Sequence, residues 1–158
     1  MEVPLLPLDV RLIPDDQWWV TDLLLAPPNT WSYLCNHSDA GMGALFSKLF
    51  WPDFVEVEGC VLLAEKYRAE GFQAWARHFQ HDREDMERMI NHTHVYDLFA
   101  QHAGDDTHPD VWEYLGRTLL ACWRCALGAA FPGRTFEFFY GAEPDEYGPT
   151  ISFCQVDR

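Results

Sequence analysis

The stretch that decides the fold is PDVWEYLGRTLLACWRCALGAAFPGRTFEFFYGAEPDEYGPTISFCQV, residues 109–156. Its first half repeats apolar residues at helical intervals, with Val111, Trp112, Leu115, Leu119, Leu120, Trp123 and Leu127 covering much of a helix circumference. Pro109 suits a first turn, where its missing N–H costs nothing, and Pro132-Gly133 ends the run. A helix over about 110–130 that is apolar on so many sides is expected to cross the centre of the fold. The second half changes period. RTFEFFYG (134–141) and PTISFCQV (149–156) are rich in aromatic and β-branched residues and flank an acidic loop, AEPDEYG, so they predict an antiparallel hairpin.

Working upstream, DFVEVEGCVLLAE predicts a second hairpin, with Glu58-Gly59 as its turn and Val55 and Val57 on one face. Between the hairpins lie two helical patterns. One covers 65–80 through Tyr67, Phe72, Trp75, Ala76 and Phe79; the other covers 82–90, with Asp82, Glu84 and Asp85 placed for the helix dipole. Before the first hairpin, SDAGMGALFSKLF starts from Ser38 as an N-cap and spaces Met42, Leu45, Phe46, Leu49 and Phe50 for a helix that Trp51-Pro52 stops. A further helix is expected in DDQWWVTDLLLA (15–26), ended by PPN. Helices, hairpin, helices, hairpin make an α+β fold: one domain over 1–158, with a small antiparallel sheet of two hairpins packed against several helices, including one long central helix.

Composition narrows the function. The chain has 158 residues, 48% of them hydrophobic, enough for one core and too many for a disordered segment. Its 25 Asp and Glu against 11 Lys and Arg leave a formal charge of −14, which repels phosphate backbones and anionic membrane surfaces and attracts a cationic protein. No apolar run is long enough to span a bilayer. Glu2, Pro4 and Pro7 do not fit a secretory signal, and five cysteines at irregular spacing fit reduced thiols, so a cytoplasmic location is expected.

Each catalytic pattern fails a physical requirement. Gly41-Met42-Gly43 has no strand before it and no lysine after it at the phosphate-loop offset. Cys122 and Cys125 form a C-x-x-C in letters, but they sit mid-helix, away from the N-terminal dipole that activates such a thiol. His37-Ser38-Asp39 are adjacent and cannot converge on one point, and no G-x-S-x-G occurs. No catalytic residue and no cofactor is therefore assigned. His78 and His81, three apart, read as a solvated helix face. MINHTHVYDLF (89–99) places His92 and His94 two apart; on a strand they could share a metal with Asp97, but the helical context favours a helix–helix bend, with Thr93 capping the second helix.

What remains is acidity. Five acids and no Lys or Arg occur from Val95 to Gly116, and three more acids follow at 143–146. Asp105, Asp106, Asp110, Trp112 and Glu113, with Tyr140, Glu143, Asp145, Glu146 and Tyr147, are the expected partner-binding surface, its rings supplying anchors.

PDFVEVEGCVLLAEKY, followed by a helix pair, a long helix and a C-terminal hairpin ending YGPTISFCQV, resembles small uncharacterised bacterial proteins of the toxin-immunity type, over about residues 50–156. The resemblance implies an acidic domain that occludes a cationic effector such as a nuclease toxin. It assigns no residue a role, because such families share a task more than a sequence. Two other classes stay open: a metal-dependent enzyme or metal-binding protein built on His78, His81, His92 and His94, and a structural subunit of a homo-oligomer.

Overall fold

Glu58 and Gly59 both adopt positive φ, 50° and 84°, the backbone that closes a two-residue hairpin with the twist its strands require. In the computed structural model, which describes residues 8–9, 12, 30–99, 107–141 and 147–157, this turn joins β1 (Phe54–Val57) to β2 (Cys60–Leu63). Val55 and Val57 lie together against Cys60, Leu62, Phe72, Ala76 and Met86, as their alternation predicts. The expected helix at 15–26 lies outside the described residues.

Ahead of this hairpin are helices α1 (Thr30–His37) and α2 (Ala40–Phe50). The cap of α2 is Asp39, not Ser38: helical backbone resumes at Ala40, and the Asp39 carboxylate accepts the Met42 N–H at 2.9 Å. The single helix expected over 65–80 is divided. A 3-10 turn (Ala64–Lys66) is followed by extended backbone at Tyr67 and Arg68, and α3 begins at Ala69 and ends at His78. Gln80 and His81 then take positive φ, so His78 and His81 do not share a helix. Helix α4 (Arg83–Ile90) begins as expected, with Asp82 accepting the Asp85 N–H and Glu84 and Asp85 in its first turn.

The helix–helix bend expected at 91–94 is instead a strand. Thr93–His94 form β3, pairing antiparallel with β5 through Thr93↔Ile151 and His94↔Thr150. The strand wins because β5 has an open edge there, and the Val95 N–H extends the pairing to Pro149 O at 2.8 Å. Thr93 caps no second helix; its hydroxyl donates to Asn91 O, and a 3-10 segment (Val95–Phe99) follows.

Helix α5 (Pro109–Ala130) and strands β4 (Thr135–Gly141) and β5 (Thr150–Val156) match the sequence reading within a residue or so. The sheet order is β3-β5-β4. The α5 stripe of Trp112, Leu119, Leu120, Trp123 and Leu127 packs in one core with Val61, Ile151 and Phe153. Trp123 meets Phe153 edge-on and donates its indole N–H to Leu49 O at 2.7 Å, which ties α2 to this core. Helix α4 packs on β5 and β2, with the Ser152 hydroxyl donating to Arg88 O.

Strands β2 and β5 share no backbone ladder, yet side chains join them. Glu87, fully buried, accepts the Val61 N–H at 2.6 Å through one carboxylate oxygen and the Gln155 N–H through the other. Asn91, also fully buried, accepts the Leu63 N–H and donates to both Val61 O and Phe153 O. A side chain on α4 and the one at its C-cap thus satisfy backbone groups that would otherwise be buried without partners. Arg134 adds an outer clamp, donating to both Glu56 carboxylate oxygens and to Gln155 Oε1.

Candidate functional site

The segment from His92 to Phe99 builds the most chemically loaded corner. Thr93 points inward and is buried, so its neighbours His92 and His94 emerge on the opposite face, as strand alternation requires. Their Nε2 atoms are 3.3 Å apart and their ring centroids 4.8 Å apart. His94 Nδ1 lies 3.1 Å from Tyr147 O. A carbonyl can only accept, so His94 carries a proton on Nδ1, and in the neutral ring its Nε2 keeps the lone pair.

Next along the chain, Val95 is buried and Tyr96 acts as a spool. Its ring lies 4.7 Å from Trp112 on α5 and 5.4 Å from Tyr147. Gly148, at φ 72°, lies against the other side: a Cβ there would come within 2.7 Å of the Tyr96 ring, so only glycine fits both the backbone and the space. Phe99 extends the row from Trp112 to Phe46 on α2.

Half of the residues expected to bind a partner lie at or near this corner; the others, Asp105, Asp106, Glu143, Asp145 and Glu146, lie outside the described residues. Trp112 is 7% exposed and belongs to the core, so its ring is not an available anchor. Tyr147 is 57% exposed and is available. Asp110 is exposed in the first turn of α5, with His108 Nδ1 3.7 Å from its carboxylate. Glu113 is held by Arg117 at 2.7 Å, and that guanidinium covers the Tyr140 ring at 4.8 Å. Tyr140 packs against the core with its hydroxyl buried and unpartnered; burial, then the nearby Glu113 charge, pushes its pKa up. Trp112 and Tyr147 therefore share one contact, Tyr96, while Glu113 and Tyr140 share another, Arg117.

Asp97 does not join the histidines. It is exposed, and among the described residues no third His, Cys, Asp or Glu gathers with any two others at metal-binding distance. Its charge acts instead on Lys66, whose pKa burial lowers and Asp97 partly restores. The Lys66 ammonium donates to His92 O. His78 and His81 are exposed, and Cys122 and Cys125 are free thiols on α5.

Sequence reasoning missed two features. His92 lines two clefts, one of about 350 Å³ with Lys66, Arg68 and Trp75, the other of about 520 Å³ with Arg88, Arg117 and Phe139. The second cleft also includes Glu137, and long-range folding brings these charged side chains together. The second feature is the apolar exterior of α1 and α2, where Trp31 is 81%, Leu45 67% and Trp51 53% exposed. Helical spacing predicted an inward face for α2; Leu49 and Phe50 do reach the core, but Met42 and Leu45 do not. No helix among the described residues is long and apolar enough to cross a membrane. Comparison with known family models, curated proteins and solved structures finds no match to this chain.

Proposed function

We propose that this chain is an acidic protein-binding domain of the immunity or inhibitor kind, which occludes a cationic effector such as a nuclease toxin. The observation that carries the reading is the double contact of Tyr96. It gathers Trp112 and Tyr147, so Asp110 and Glu113, in the first two turns of α5, and Tyr147 belong to one end of the fold. Exposed Tyr147 would supply a ring anchor, and the net charge of −14 would steer a basic partner toward that end. Occlusion needs no catalytic group here; carboxylates meet basic active-site residues and exclude substrate. A cytoplasmic location and reduced cysteines are part of the same proposal.

The direct test assays the product of the neighbouring gene as a nuclease, with and without this protein. Stoichiometric inhibition that weakens with salt and with the triple variant Asp110→Lys, Glu143→Lys, Asp145→Lys supports the reading. Inhibition indifferent to both would remove its electrostatic basis.

A further inference from the structure

We propose that His92 and His94 form a two-imidazole site for a transition-metal dication of the zinc, nickel or copper class. The separation fits. Two nitrogens bound to one metal at the usual 2.0–2.1 Å, with a tetrahedral angle between them, stand roughly 3.3–3.4 Å apart, and the two Nε2 atoms are 3.3 Å apart. The same contact is an N–H···N hydrogen bond between the rings, which a metal would replace on binding.

The tautomer fits as well. Histidine ligands commonly donate their second ring nitrogen to a carbonyl, which aims the other lone pair outward. His94 has that arrangement, with Nδ1 on Tyr147 O at 3.1 Å. The backbone beneath the pair is fixed on both sides: Thr93 pairs with Ile151, the Val95 N–H binds Pro149 O, and Lys66 holds His92 O. Two neutral imidazoles without a carboxylate select borderline metals over Mg2+ or Ca2+, which need oxygen. Among the described residues no third protein donor gathers with the pair.

The experiment is calorimetric titration of the untagged protein with Zn2+ at about pH 7.5, where imidazoles are neutral, together with imidazole nitrogen NMR of the wild type. The expected result is one saturable site per chain, nitrogen shifts confined to His92 and His94, and affinity at least about tenfold weaker in His92→Ala and in His94→Ala. Affinity should fall in acid, where protons compete with the metal for the ring nitrogens. The NMR arm needs no variant to fold. Absence of saturable binding, shifts at other histidines instead, binding that survives both substitutions, or displacement by millimolar Mg2+ would each overturn the assignment.

Discussion

Glu87 on α4 and Asn91, the C-cap of that helix, together do the work of a β-ladder between β2 and β5, binding Val61, Leu63, Phe153 and Gln155. The two-stranded and three-stranded sheets are thereby joined by side chains rather than by backbone. Every such bond is buried or partly buried, so removing a partner exposes no group to compensating water.

Replacement of Glu87 by Ala should therefore be costly. It leaves two backbone N–H groups unpartnered, at about 1–3 kcal/mol each, so a loss of about 2–6 kcal/mol is expected in urea unfolding followed by circular dichroism. Hydrogen exchange should accelerate first at Val61 and Gln155. A loss below about 0.5 kcal/mol would mean that the carboxylate is not bridging the strands.

The same carboxyl has a pH signature. Burial raises the Glu87 pKa above 4.5, opposed by its two backbone hydrogen bonds and by Arg83. The folded state therefore holds this proton more tightly than the unfolded chain does. The resulting stabilisation is fully present below the ordinary value of 4.5 and is lost as pH rises through the folded-state value. Compared with Glu87→Gln, which does not titrate, the wild type should lose stability over that window, a trend readable from urea midpoints between about pH 4 and about pH 8. Parallel midpoints for the two proteins would contradict the shift.

Gly148→Ala tests the Tyr96 corner. The substitution places a side chain at φ 72° and drives its Cβ into the Tyr96 ring. Strain of about 1–2 kcal/mol from the left-handed backbone is expected, with further loss from displacement of the ring. Near-ultraviolet circular dichroism should change, since Tyr96 contacts both Trp112 and Tyr147. An unchanged spectrum and midpoint would show that the close approach is absent.

The cysteines should separate by burial. Burial, reinforced by Glu87, pushes the Cys60 and Cys154 thiols up to about 11, and both are nearly inaccessible. Cys35 and Cys125 are exposed. A thiol reagent at neutral pH should label Cys35 and Cys125 first and reach Cys60 and Cys154 only on unfolding. Rapid labelling of Cys154 in the native protein would place β5 outside the core.

Both hairpins and the long helix were legible because each carries its own local signal: a Glu-Gly turn, a change of period, a Pro before and a Pro-Gly after. The 91–94 strand was not. Two residues have no periodicity, and their extended state is imposed by the open edge of β5, more than fifty residues away in sequence. The Glu87 and Asn91 splice was also hidden, although polar residues directly after the inward-packing Met86 and Ile90 were its trace. Of the candidate site, the His92 and His94 spacing was visible but its geometry depended on that strand. Trp112 was read as an anchor because composition does not distinguish a core ring from a surface ring; the Tyr96 contact decides it.

The central claim, that this acidic chain occludes a basic partner, is tested most directly by measuring the affinity for the neighbouring gene's product from about 50 mM to about 500 mM salt. The account predicts an affinity that falls steeply across that range and is further weakened by charge reversal at Asp110, Glu143 and Asp145. A complex whose affinity is flat in salt and unmoved by those reversals would contradict it.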